Sequence, residues 1–154
     1  MSESDPYRVF VSHLFSDDAE YLRVFEFLEG VDRFFYINTS KPEDMPQTGG
    51  LDAIKDAYIQ QIRECEALIV LPEHFIENPE LVNFQIDVAD AQSKSVIVIK
   101  PFGGVTETPP ALTARAKETI DWNNREIADA LRRQARHEDT SKWDVIDFPG
   151  FDPD

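Results

Sequence analysis

The sequence predicts a three-layer α/β fold, in which a five-stranded parallel sheet of strand order 2-1-3-4-5 carries helices on both faces. Two observations lead to this prediction. Short apolar segments alternate with helical segments five times along the chain, and right-handed crossovers between parallel strands place helices on both sides of a sheet. Residues 67–71 and 96–99 are continuously apolar, which is typical of strands buried on both faces.

The predicted strands are short segments rich in β-branched, aliphatic and aromatic residues. They cover residues 8–12, 33–37, 67–71, 95–99 and 119–122. Pro72 closes the third segment and Pro101 closes the fourth, because proline cannot donate a hydrogen bond to a strand ladder.

The predicted helices lie between these strands and show apolar residues at helical spacing. The first starts at Asp17, which has capping-box spacing to Glu20, and it stops at Gly30. Asn78 followed by Pro79 marks the start of the third helix. The other predicted helical segments cover residues 51–62, 111–117 and 124–136.

The composition limits the classes of partner. The 154 residues carry a formal net charge of −15, whereas nucleic acids and anionic membranes attract basic surfaces, so we expect neither as a partner. A single cysteine, Cys65, excludes an internal disulfide and a thiolate zinc site, and with the acidic start it predicts a cytoplasmic protein.

We expect residues 1–6 to be disordered and 7–136 to form the domain. Residues 137–154 form an acidic, aromatic-containing tail that is expected to dock on this domain or on a partner.

A ligand crevice is expected beyond the carboxyl ends of strands one and three, where the strand order reverses. Ser12 and His13 end the first strand, and His74 follows the third, so two of three histidines approach one crevice. The alternative is that each is a loop histidine held by a backbone carbonyl. A metal site would need a third ligand, and the sequence shows none at suitable spacing.

Residues 38–50 hold two prolines and two glycines and show no periodicity. They are predicted to form a long loop, and long loops in compact domains often carry functional residues.

The third predicted helix carries a polar residue on its apolar side. Gln85 shares a stripe with Leu81, and a buried carboxamide needs hydrogen-bond partners. It either reaches backbone groups at the sheet edge or faces the crevice. The opposite, wetter face carries Asn83 and Asp87. The sequence has no phosphate-binding loop and no nucleophile elbow, and the two glutamates beside Cys65 are expected to raise its thiol pKa.

Three segments, in this order, resemble TIR domains, in particular the prokaryotic group of Thoeris ThsB-like TIR domains. They are residues 8–13 (RVFVSH) followed by two aspartates, residues 65–100, and residues 121–132. The resemblance covers residues 7–136 and implies a flavodoxin-like fold. It also implies signalling in prokaryotic anti-phage defence, with NAD⁺ as substrate or ligand and no metal. Cleavage of its nicotinamide–ribose bond would make an ADP-ribose-type signal, and other TIR domains or a nucleotide-sensing effector protein would be the partners.

The resemblance further implies a set of site residues. The catalytic glutamate of the family falls on Gln85, whose amide can bind ribose hydroxyls but lacks the anion that stabilises an oxocarbenium-like transition state. His13 and Asp87 complete the candidate catalytic set, Asp87 only if the helix were rotated. Residues 38–50 would shape the pocket and mediate assembly. The candidate ligand-binding residues are Ser12, His13, Tyr36, Asn38, His74, Asn83 and Phe84.

Two hypotheses of function stay open. One is an enzyme that cleaves NAD⁺, and the other is a catalytically reduced TIR-like module that binds a nucleotide or assembles with a partner, which Gln85 favours. Two further classes share the fold and are less well supported. A phospho-receiver domain needs an aspartate at the end of strand three, where Pro72 and Glu73 stand. A nucleoside deoxyribosyltransferase-like enzyme needs a carboxylate nucleophile near the crevice.

Overall fold

A computed structural model of the chain describes residues 3–104 and 106–138. The predicted fold class is confirmed: five strands form one parallel sheet in the order β2-β1-β3-β4-β5, with helices on both faces. The strands are β1 (Tyr7–Val11), β2 (Tyr36–Asn38), β3 (Ala67–Val70), β4 (Ser95–Ile99) and β5 (Glu118–Ile120). The helices are α1 (Ala19–Glu29), α2 (Gly50–Arg63), α3 (Pro72–Glu77), α4 (Pro79–Ala91), α5 (Pro110–Thr113) and α6 (Asn124–Arg136).

The alternation of side chains along the strands divides the core into two layers. Val9 and Val11 of β1 pack with apolar residues of α1 and α6 on one face of the sheet. Phe10, between them, packs with residues of α2 and α4 on the other face. Both faces of β3 are buried, as its continuous apolar sequence predicts. This arrangement places the amino-terminal parts of α2 and α4 beside the carboxyl ends of β1 and β3, where the crevice was expected.

The edge strand β2 begins later than the sequence predicts. Its pairing with β1 sets Tyr36 opposite Tyr7 and ends at Asn38, rather than covering residues 33–37. Phe34 lies before the strand and stacks on the Tyr7 ring with 5.2 Å between the centroids. The aromatic run therefore contains a core residue, Phe34, and a strand residue, Tyr36. Periodicity alone cannot show where the strand begins within such a run.

Two helix starts also differ from the prediction. Asp18, rather than Asp17, caps α1, and its carboxylate accepts a hydrogen bond of 2.9 Å from the Tyr21 amide. The six-residue helix α3 was not predicted, because Pro72 was interpreted as the end of a strand. Proline is equally suited to the first turn of a helix, and that is where the structure places Pro72. The start of α4 at Pro79 after an Asn78 cap is confirmed.

The described part of the chain has no helix long and apolar enough to cross a membrane. At the amino-terminal end, Arg136 of α6 bonds the side chain of Asp5 and the carbonyl of Pro6. The predicted docking of the tail falls, beyond Glu138, outside the described residues.

Candidate functional site

Gln85 of α4 lies against the carboxyl end of β1 and is completely buried. Its Oε1 accepts hydrogen bonds from Ser12 Oγ at 2.9 Å and from the His13 amide at 3.3 Å. Its Nε2 donates to the carbonyl oxygens of His13 at 3.2 Å and of Leu81 at 3.3 Å. A carboxamide has two donor and two main acceptor positions, so this side chain uses all of them within the protein. The expectation that Gln85 needs buried partners is confirmed, and they lie at the end of a central strand rather than at the sheet edge.

The His13 ring is held at both nitrogens. Its Nδ1 accepts from the Phe15 amide at 3.3 Å, and its Nε2 lies 3.0 Å from Gln61 Oε1. Because a nitrogen that accepts cannot carry the proton, the hydrogen sits on Nε2 and is donated to Gln61. Burial lowers the pKa of His13 to about 4, which keeps the ring neutral at pH 7. The Tyr58 hydroxyl donates to the His13 carbonyl at 2.6 Å and anchors the residue from α2.

His74 is the second histidine near this edge of the sheet, and it is also buried. Its Nε2 lies 2.9 Å from Asp18 Oδ2, so it carries the hydrogen and donates to the carboxylate that caps α1. The Nδ1 has no hydrogen-bond partner within residues 3–104 and 106–138. The expectation that both rings are held by backbone carbonyls is wrong, since their partners are Gln61 and Asp18. Across the described ranges, no three metal-ligating side chains come together.

A cavity of about 320 Å³ opens between the loop after β1 and the amino-terminal turns of α2 and α4. Phe15, with 44 % of its surface exposed, forms one wall, and Phe84 forms another. The Lys55 ammonium lies 5.2 Å from the centroid of the Phe84 ring. Neither Lys55 nor Glu80, which also lines the cavity, forms an ion pair with any residue that the structure describes. Gln85 does not line this cavity.

Two of the candidate ligand-binding residues lie with α1 rather than at the cavity. Tyr36 donates its hydroxyl to Glu29 at 2.6 Å, and its ring stacks on Phe25 with 5.8 Å between the centroids. Asn38 donates to the Tyr21 hydroxyl at 2.8 Å and shapes the start of the loop after β2. The structure therefore keeps Tyr36 away from the residues around Gln85. Asn38 is linked to them through Tyr21, whose ring lies edge-on to the His13 ring with 6.2 Å between the centroids.

Asn83 and Asp87 lie on the outer side of α4, away from Gln85. Arg115 binds both, with distances of 3.0 Å to Asn83 Oδ1 and 2.7 Å to Asp87 Oδ1. It also binds Asp90 at 2.9 Å, which makes this a surface cluster of one cation and two carboxylates. A catalytic role for Asp87 and a ligand-binding role for Asn83 stay predictions. Of the candidate residues, Ser12, His13 and Gln85 form one network, His74 lies nearby, and Phe84 lines the cavity.

Sequence reasoning missed the contribution of α2 to this site. Tyr58 marks the apolar stripe of that helix. Gln61 lies three residues later and is not among the residues that the sequence analysis singles out. The spacing that singles out Gln85 also applies here, because residues three apart share a helix face. Gln61 is 8 % exposed and bonds both His13 and the Lys41 backbone. A search for glutamines on apolar helix stripes would have found both residues.

Cys65 is a buried, free thiol. Its pKa is raised to about 12, mainly by burial, while the nearby Lys94 ammonium acts in the opposite direction. The expected direction is thus confirmed, but the dominant cause is burial rather than the adjacent glutamates. A thiol of this kind stays protonated and unreactive at neutral pH.

No protein-family model and no curated protein sequence matches this chain. Among solved structures, the chain is similar to the CMP N-glycosidase BcmB of Clostridium botulinum. The two share 19 % sequence identity over 80 % of this chain and 97 % of the other, with a TM-score of 0.46. At this level of similarity, the chemistry of the site has to be judged from its own residues.

Proposed function

We propose that this chain is a TIR-like signalling domain that binds a nucleotide-type ligand at the cavity beside α4 and does not cleave NAD⁺ through Gln85. One observation supports the second half of the proposal above all others. The Gln85 carboxamide is completely buried and forms its four hydrogen bonds with Ser12, His13 and Leu81. A residue that acts on a ribose must be reachable and must have bonding capacity to offer, and Gln85 has neither.

The same bonds explain why an amide suits this position better than a carboxylate. The Nε2 group of Gln85 faces two acceptors, the carbonyl oxygens of His13 and Leu81. A glutamate in this conformation would direct a second oxygen at those carbonyls, and its charge would be buried without a cation. Gln85 therefore acts as a link between α4 and the end of β1.

The cavity offers the groups that a nucleotide requires. Phe15 and Phe84 supply aromatic faces for stacking a base. Lys55, which forms no ion pair with any residue that the structure describes, supplies a cation for a phosphate. Glu80 can accept hydrogen bonds from an amino group or from ribose hydroxyls. The volume of about 320 Å³ lies at the lower end of the range for small-molecule pockets, which favours one nucleotide over a complete dinucleotide.

The biological setting in this proposal comes from the resemblance to TIR domains. Signalling in prokaryotic anti-phage defence, in the cytoplasm, would follow from ligand binding combined with assembly. The partners would be other TIR domains or a nucleotide-sensing effector protein, and the loop after β2 would contribute the contact surface.

The first test follows nicotinamide release from NAD⁺ by the purified wild type and by Gln85→Glu and Gln85→Ala. We expect no release by the wild type at any protein concentration, including concentrations at which it assembles. Release by the wild type would overturn the proposal that the site is not hydrolytic. If that release survived Gln85→Ala, the catalytic position would also have been misassigned.

The second test measures binding of AMP and of NAD⁺ by calorimetry. We expect AMP to bind and Phe84→Ala to weaken its affinity about tenfold, as the loss of one base-stacking contact does. Phe102→Ala is the matched control, because Phe102 is an exposed phenylalanine outside the cavity. Failure of both nucleotides to bind, or equal effects of the two variants, would overturn the ligand assignment.

A further inference from the structure

The side chain of Gln61 on α2 forms hydrogen bonds to the loops that follow β1 and β2. Its Oε1 accepts hydrogen bonds from the Lys41 amide at 2.8 Å and from His13 Nε2 at 3.0 Å. Its Nε2 donates to the Lys41 carbonyl at 3.1 Å and contacts Met45 Sδ at 3.5 Å. Residues 39–49 are here called the β2–α2 loop. The buried Gln61 carboxamide thus holds the Lys41 backbone of this loop while it also holds the His13 ring.

The other nitrogen of that ring holds a wall of the cavity. His13 Nδ1 accepts from the Phe15 amide, and Phe15 has a φ of 70°, a left-handed conformation that non-glycine residues adopt only where their surroundings hold them. The ring orientation of His13 therefore sets the position of Phe15. Gln61 helps to fix that orientation through its hydrogen bond with Nε2. A series of hydrogen bonds therefore connects Phe15, through His13 and Gln61, with the β2–α2 loop.

We propose that Gln61 is a positioning residue that couples the shape of the cavity to the conformation of the β2–α2 loop. Displacement of Phe15 changes the hydrogen bond that His13 can give to Gln61, and with it the two bonds that Gln61 makes to Lys41. The coupling is reciprocal, so a partner that moves the loop changes the affinity of the cavity for its ligand. The statement about the ligand rests on the proposed function, whereas the coupling of the two loops rests on the hydrogen bonds alone.

The chemistry of the link requires a carboxamide. His13 and the Lys41 amide both need an acceptor, while the Lys41 carbonyl needs a donor, and the Gln carboxamide offers both in one neutral group on two separate atoms. Gln61→Met keeps the length of the side chain and removes the acceptor and the donor. Gln60→Met is the matched control, since Gln60 is the preceding residue of α2, is exposed, and accepts from Arg63 on the same helix.

The test is hydrogen exchange, read by peptide mass, on the full chain of the wild type and the two variants. We expect Gln61→Met to speed exchange about tenfold or more both in the β2–α2 loop and at Phe15, with no change in Gln60→Met. A residue that merely supports its own loop would affect residues 39–49 and leave Phe15 unchanged, and that result would overturn the proposal. If Gln61→Met fails to fold, Gln61→Asn takes its place, because it keeps a neutral carboxamide on a shorter side chain that cannot reach His13 and Lys41 together.

A double-mutant cycle makes the coupling quantitative. Met45→Ala disturbs the loop at the side chain whose sulfur Gln61 Nε2 contacts, and we expect it to speed exchange at Phe15 in the wild type but not further in Gln61→Met. Additive effects on Phe15 would overturn the proposal. The double-mutant cycle is measured without any ligand. It therefore tests the coupling between the two loops even if no nucleotide binds.

The ligand arm uses AMP as the probe. We expect AMP to slow exchange in the β2–α2 loop of the wild type, and we expect Gln61→Met to abolish that protection and to weaken AMP binding about tenfold. Failure of AMP to bind the wild type would contradict the proposed function and leave the result of the cycle intact. Binding of AMP without any effect on the loop would overturn the coupling alone.

Discussion

The two sides of α4 carry similar polar residues in opposite surroundings. On the sheet side, Gln85 has no exposure and finds all its partners in the protein. On the outer side, Asp87 and Asp90 bind Arg115 while their side chains remain 65 % and 59 % exposed. Water can replace a lost partner on the outer side but cannot reach one on the sheet side. Location, rather than residue type, therefore decides which polar side chains of this helix the fold depends on.

The largest expected effect comes from Gln85→Leu, which keeps the volume and removes every hydrogen bond. The fully buried Ser12 hydroxyl and His13 amide lose their acceptor, so we expect the free energy of unfolding to fall by about 3–5 kcal/mol. Urea denaturation measures it. Asp87→Leu on the outer side is the matched control, with an expected change below about 1 kcal/mol. Equal losses in the two variants would remove the distinction between the sides of α4.

The next effect is on the pH dependence of stability. The pKa of His13 is about 4 in the folded chain, against 6.5 for an ordinary histidine, because burial disfavours the cation. Between these two pH values the unfolded chain binds a proton that the folded chain does not. The stability of the fold should therefore be complete above pH 6.5 and should fall by up to about 3 kcal/mol as the pH approaches 4.

His13→Gln provides the control for this prediction, because it removes the titrating group and leaves all other ionisable residues in place. Urea denaturation of both proteins at several pH values between 7 and 4 should show a steeper loss of stability in the wild type. Parallel curves would mean that His13 is not kept neutral by burial, and the sheet side of α4 would then be less sealed than its contacts indicate.

The smallest effect is expected on the outer side, from Arg115→Ala. The substitution breaks the bonds to Asn83, Asp87 and Asp90, which are strengthened by charge but open to solvent. The partners can be hydrated, so we expect a loss of about 0–1 kcal/mol that shrinks further in high salt. Thermal denaturation at low and high salt measures both quantities. A loss above about 2 kcal/mol that salt does not reduce would show that this cluster supports the fold as strongly as Gln85 does.

Much of the fold could be predicted from local sequence. The bounds of β4 and α6, at Ser95–Ile99 and Asn124–Arg136, are those expected from the apolar run and from the amphipathic segment. The helix α3 could not be predicted, because its opening residue Pro72 suits the end of a strand as well as the first turn of a helix. The limits of β2 depend on its pairing with β1, which is not encoded within the strand itself.

The candidate site could be predicted only in part. Gln85 stands out in the sequence because a polar residue interrupts an apolar stripe, and Ser12 and His13 stand out because they end the first strand. The role of Gln61 depends on His13, which is 48 residues away in the chain. Hydrogen bonds between residues so far apart in the chain form only when the helices and strands pack together. No local sequence pattern predicts them.

The sequence by itself determined the order of the strands, the two layers of helices and the presence of a glutamine on the inner stripe of α4. The elements and the glutamine follow from periodicity and capping, which act between residues close together in the chain. The strand order and the layers follow from the right-handed crossover rule applied to the alternation of these elements. Only the tertiary structure decided that Gln85 is sealed and fully bonded, and that Asp87 and Asn83 turn to Arg115. Both outcomes depend on which groups and how much water surround a side chain, and these are set only when α4 packs against the end of β1.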